Sequence, residues 1–280
     1  MTEKNSSENA ATPASDDPVL CTREDGLAIV TLNRPDRLNA LSGPVMDALE
    51  ATLRTLAGDR TVRALLLRGA GRGFCAGGDM KAGGVSREEA AQMTQEDRVA
   101  RLRQQMASAE LLHTMAKPTV SALRGAMMGA GVGLGLAADL RIASRTLKLE
   151  TAFKSLGFSG DFGGAYFLTR LAGTSAARDL MLRSRRVDGE EALKLGLVTE
   201  LVDDDALDER ALVVARELAA GPSIAFGHMK RALNAAADGA SVAQVLELEA
   251  AAMVRTAQTE DHKEAVRAFM EKRAAEFKGR

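Results

Sequence analysis

The chain has 280 residues, and 37 Lys and Arg against 38 Asp and Glu give a formal charge of −1. That balance carries no electrostatic footprint for nucleic acid or for an acidic membrane surface. At 46% hydrophobic, 27% charged and only 3% aromatic, the composition excludes disorder for the bulk of the chain and predicts a core of Ala, Leu, Val and Met.

Residues 1–18 are polar and lack an apolar signal segment, so they read as a flexible tail. Cys21 and Cys75 are too few for a disulfide framework or a four-ligand zinc site, which implies a reducing, cytoplasmic setting. His113, His228 and His262 have no Cys or His at ligand spacing, and no metal site is expected. The longest uncharged stretch, Gly125 to Ala138, is too short to cross a bilayer.

In chain order, Leu27–Arg34 and Val62–Gly69 read as strands. Met46, Leu49, Leu53 and Leu56 repeat at helical spacing between them, with Ser42 as a plausible cap and Pro44 in the first turn. A glycine-rich loop, Gly69–Asp79, follows the second strand. The charged stretch Lys81–Met115 reads as an irregular helix, with Ser86 and Glu89 spaced as a capping box. Strand, loop and helix recur over Pro118–Gly125, Met127–Asp139 and Leu140–Ser144, and two or three strand-then-helix units in series argue for an α/β layered architecture. From Phe162 onward the pattern is almost wholly helical, with caps or stops at Asp188, Gly196, Gly221–Pro222 and Gly239. Ala206–Ala220 and Val242–Ala257 offer apolar stripes for a neighbour in this chain or in another.

Phosphate-loop, HExxH and GxSxG signatures are all missing. Gly129, Gly131, Gly133 and Gly135 suggest a dinucleotide turn, but the third glycine of GxGxxG would fall at Leu134, so the fingerprint fails. Two readings stay open: small residues for close helix packing, or exposed backbone N–H groups that stabilise charge on a ligand oxygen. Phe74–Asp79 is equally open, as a simple turn or as the second donor of a two-amide oxyanion hole.

Asn33–Ser42, Gly71–Met80, Lys117–Ser144, Asp188–Val202 and the terminal Phe269–Arg280 together resemble the crotonase, or enoyl-CoA hydratase/isomerase, superfamily. The resemblance spans roughly residues 19 to 280. It implies an α/β crotonase-like fold: an acyl-CoA-binding catalytic core of repeated ββα units over 19–205 and a helical trimerisation region over 206–280. It also implies acyl-CoA substrates, with coenzyme A entering as part of the thioester and no other cofactor, and a homotrimer or dimer of trimers. Carried over by residue, it places the oxyanion-hole amides at Gly78 and Ala130. Ala76, Gly78, Asp79 and Met80 fall along the coenzyme A, and Arg37 near its phosphates.

Hydratases of this family use two glutamates, whose positions here fall at Gly133 and Phe153; neither can transfer a proton. Asp161 lies in the glycine-flanked turn where, in double-bond isomerases and aryl-CoA dehalogenases resembling this chain, a catalytic aspartate resides. Between Phe158 and Phe162, such a carboxylate could gain a raised pKa and act as a general base; the alternative is an N-cap for a helix beginning near Phe162. Glu150 is either a second acid or a solvated strand end, and Asp139 reads as structural. The expectation is an enoyl-CoA isomerase. Its alternatives are a hydratase with an unusual acid pair, a hydrolase or dehalogenase using Asp161 as nucleophile, and a silent acyl-CoA or RNA binder.

Overall fold

The computed structural model describes residues 16–81 and 91–280. The first element is a hairpin in which β1 (Val19–Glu24) pairs antiparallel with β2 (Leu27–Leu32). Asp25 and Gly26 form its two-residue turn with φ of 43° and 87°, the hand that matches the twist of the strands. β1 has no counterpart in the sequence reading, because Cys21, Thr22 and Arg23 are exposed and give no apolar alternation. Of the tail expected over 1–18, residues 1–15 lie outside the described residues.

Next come α1 (Gly43–Gly58), β3 (Ala64–Gly69) and α2 (Gln95–Thr114). Met46, Leu49, Leu53 and Leu56 of α1 are all buried, as their spacing requires. Ser42 stands at the N-cap of α1 but makes no side-chain capping bond. Helix α2 is opened by a capping box of Thr94 and Asp97; Ser86 and Glu89 lie outside the described residues.

Two ββα units follow, β4 (Thr119–Leu123), β5 (Ala126–Met128) and α3 (Ala130–Leu136), then β6 (Leu140–Ser144), β7 (Lys148–Glu150) and α4 (Phe153–Leu156). With β8 (Val187–Asp188) and β9 (Glu200–Val202) from later in the chain, the first strand of each unit joins a six-stranded sheet of order β1-β2-β3-β4-β6-β9, and the second joins a small sheet of order β5-β7-β8. Apart from the β1/β2 hairpin, the large sheet is parallel. The expectation of an almost wholly helical chain beyond Phe162 is corrected here. After α5 (Gly164–Arg183), which is broken at Gly173, β8 (Val187–Asp188) and, after α6 (Gly189–Lys194), β9 (Glu200–Val202) return to the two sheets. They are too short to show strand periodicity.

Alternate residues of β2 fill two cores, Ala28, Val30 and Leu32 on one face and Leu27 and Ile29 on the other. The second face is covered by α7 (Leu207–Ala220), whose Leu207, Ala211, Ala215 and Ala219 repeat every four residues. So the first helix of the segment expected to trimerise lies against the sheet of the core. Helices α8 (Ser223–Ala237), α9 (Val242–Thr256) and α10 (Glu260–Glu271) complete the chain. None of the described helices is long and apolar enough to cross a membrane.

Candidate active site

Parallel strands deliver their loops to one edge of a sheet, and here two of those loops are zipped together. Cys75 N–H donates to the Ala126 carbonyl at 2.9 Å, and Met128 N–H donates to the Cys75 carbonyl at 2.9 Å. The packing is so close that a Cβ on Gly77 would stand 2.7 Å from the Met128 carbonyl oxygen. On its other side the first loop bonds to Leu41, whose N–H donates to the Gly77 carbonyl at 2.7 Å and whose carbonyl accepts Asp79 N–H at 2.9 Å. In such a parallel bridge the N–H of Gly78 itself points away from Leu41. Ala130 is the first residue of α3, where an N–H has no partner within the helix. Among the described residues neither amide donates a hydrogen bond.

The other expected binding residues gather at the same edge. Arg34 binds Asp79 at 2.9 Å and donates to the Ala40 carbonyl at 2.7 Å, and Asp79 accepts Lys81 N–H at 3.1 Å, so Asp79 fixes the turn. Arg37 ends a short 3₁₀ turn at Pro35, which abuts Gly71; Ala76 N–H donates to the Leu38 carbonyl at 2.9 Å; and Met80 is exposed. Asn39 and Arg34 were not singled out by the sequence reading. Asn39 is buried, accepts Arg34 N–H at 2.9 Å and donates to the Ala70 and Gly73 carbonyls at 3.0 and 2.8 Å. Its φ of 57°, which Asn tolerates better than most residues, is the one local signal that marks it.

Asp161 lies over α3. It does not cap a helix with its side chain; α5 begins at Gly164, with Gly163 at the N-cap, and Asp161 contributes only its carbonyl, which accepts Gly164 N–H at 3.0 Å. Its half-buried carboxyl has one oxygen, Oδ1, fully buried without a hydrogen-bond partner. Burial pushes its pKa up to about 6. Cys75 is a near neighbour, its thiol pushed up to about 12, first by burial and further by the Asp161 charge.

The two positions of the family's glutamates are closed in different ways. Gly133 is pressed against the Phe162 backbone, and the buried Phe153 ring borders Gly129 and Gly160. Glu150 is held in an ion pair: its carboxylate pairs with Arg186 at 3.0 Å, while its carbonyl accepts Gly129 N–H at 3.0 Å. Asp139 binds Thr119 N–H at 2.8 Å and the buried Lys230 at 2.8 Å, a bracing role between β4 and α8. The geometry therefore gathers Gly78, Ala130 and Asp161, and leaves the Glu150 carboxylate in an ion pair.

The sequence profile of the enoyl-CoA hydratase/isomerase family matches residues 22–280. The chain belongs to that family. Among its relatives is the 1,2-epoxyphenylacetyl-CoA isomerase of Escherichia coli (strain K12), 36% identical over 94% of this chain and 98% of that protein. A Rhodobacter capsulatus protein named for enoyl-CoA hydratase activity is 35% identical over 91% of this chain and 96% of its own. A solved Streptomyces coelicolor A3(2) structure, also named for enoyl-CoA hydratase, superposes with a TM-score of 0.87 at 35% identity, covering 100% of both chains. As a member of the enoyl-CoA hydratase/isomerase family with that likeness, the chain has the crotonase fold, and the α/β expectation holds.

Proposed function

We propose that this chain is an enoyl-CoA isomerase in which Asp161 shuttles one proton. The observation that carries the reading is the buried, unpartnered Asp161 Oδ1 beside two loops whose Gly78 and Ala130 amides donate to none of the described residues. The ionised carboxylate removes a proton from C2 of a 3-enoyl-CoA. The electrons move onto the thioester oxygen, which the two amides hold as a dienolate. The same carboxyl then returns the proton at C4, leaving the double bond between C2 and C3. Coenzyme A is part of the substrate, along Ala76, Gly78, Asp79 and Met80 with Arg37 toward its phosphates, and the step needs no other cofactor.

The Arg186 pair on Glu150 speaks against a hydratase that would use Asp161 and Glu150 together. The Arg183–Arg186 run offers little to RNA, since Arg183 and Arg185 pair with Asp179 and Arg186 with Glu150. A second reading concerns the acyl group: the E. coli relative is named for a phenylacetyl-CoA derivative, and Phe153 and Phe158 flank the Asp161 turn, so a ring-bearing acyl group is the next substrate to offer.

Mass spectrometry of 3-enoyl-CoA incubated in D₂O tests the proposal. Deuterium uptake with double-bond migration and no water adduct is expected, and both are lost in Asp161→Asn. A water adduct would replace the isomerase reading with a hydratase one. We also propose that the chain works as a trimer or a dimer of trimers, for which Val242, Leu246 and Met253 provide an exposed apolar stripe on α9.

A further inference from the structure

Gly133 lies in the middle of α3, facing the Asp161 turn. A Cβ on Gly133 would stand 2.2 Å from the Phe162 carbonyl oxygen, 2.7 Å from its carbonyl carbon and 2.9 Å from its Cβ. The first two are backbone atoms that cannot swing aside, so only a residue without a side chain lets the Phe162 carbonyl rest on the helix. Phe162 responds from the other side. Its φ of 47° is unfavourable for a bulky residue, yet its ring is among the largest fully buried side chains. Ring burial therefore holds a strained backbone down on α3. Asp161 is one peptide bond away, its Oδ1 buried without a partner and its charge felt by the Cys75 thiol.

We infer that Gly133 is a positioning residue for Asp161: the close seat of the Phe162 carbonyl on Gly133 sets where the proton-carrying oxygen stands. This rests on the reading of Asp161 as the acid/base. The neighbouring glycine provides its own control. The three atoms nearest a Cβ on Gly135 all belong to side chains, Met127 Cε at 2.7 Å, Leu123 Cδ2 at 3.0 Å and Phe74 Cε1 at 3.1 Å. Gly133→Ala and Gly135→Ala thus add the same methyl to the same buried helix, but only the first pushes on the Asp161 turn.

The test compares wild type, Gly133→Ala, Gly135→Ala and Asp161→Asn. The readouts are turnover of trans-3-hexenoyl-CoA and NMR titration of protein labelled with ¹³C at the aspartate carboxyls, Asp161 being the resonance missing from Asp161→Asn. Gly133→Ala is expected to lower kcat about 10- to 100-fold with KM nearly unchanged. It should also bring the Asp161 midpoint down by about one pH unit or more as the turn lifts into water. Gly135→Ala is expected to melt at a lower temperature but to keep both kcat and midpoint. If Gly133→Ala keeps the wild-type midpoint, or the two alanine variants behave alike, the inference is wrong. Full turnover in Asp161→Asn would instead overturn the acid/base reading, and the NMR midpoint decides the Gly133 question even where the probe is a poor substrate.

Discussion

An ionised carboxylate with a buried, unmatched oxygen destabilises the fold that holds it, and Asp161 is such a group. Its folded pKa, about 6, lies above the ordinary aspartate value, so the folded protein holds the proton more tightly than the unfolded chain. Stability from this group is therefore complete below about pH 4 and is lost as pH rises to about 6, reaching up to about 3 kcal/mol. Asp161→Asn should accordingly be more stable than wild type by about 1 to 3 kcal/mol at pH 7.5, with the difference gone by about pH 4; urea denaturation at the two pH values checks this. The same substitution should lower kcat by about 10²- to 10⁴-fold, and wild-type activity should climb with pH through about 6 as the base ionises. Sequence alone supplied Asp161 and its flanking phenylalanines. It did not supply the seat on Gly133, because the glycines of that helix look alike until their neighbours are known.

At the scale of elements, the loops stay in place through side chains that bind backbone. Asn39 ties the Arg34, Ala70 and Gly73 peptides together from a buried position. Asn39→Ala leaves these part-buried and buried groups without their partner and should cost about 2 to 4 kcal/mol, read as a lower Tm together with a higher KM for the acyl-CoA, whose proposed binding loop it braces. Lys230 is a clasp of the same kind, reaching from α8 to the Leu112 and Lys117 carbonyls and to Asp139. Lys230→Ala leaves Asp139 without its cation and should destabilise by about 3 to 5 kcal/mol in calorimetry, with the acid limb of the pH profile unmoved. The long apolar runs that became β2, β3 and β4 were legible, since a buried parallel strand writes itself as continuous hydrophobics. β1, β8 and β9 were not, because an exposed edge or a strand of two or three residues carries no pattern of its own.

At the scale of the whole molecule, exposed Val242, Leu246 and Met253 form one stripe, and Phe269 and Met270 stand exposed on α10. A trimer would weigh about 90 kDa, three times the 29.6 kDa chain, by light scattering. Leu246→Glu with Met253→Glu should shift it toward single chains, because a charge in a dry interface is costly. The α7 stripe, by contrast, is already spent on the sheet of its own chain, which the sequence could not decide. The two cysteines add a way to watch this molecule come apart. Cys21 is exposed, whereas Cys75 is sealed between the zipped loops with a thiol near 12. A thiol reagent at pH 8 should consume one equivalent per chain at once and the second only when residues 75–78 part from 126–128. The slow phase is thus a clock for breathing of the site, readable without any substrate, and a reagent that reaches Cys75 has disassembled the proposed oxyanion hole on its way in.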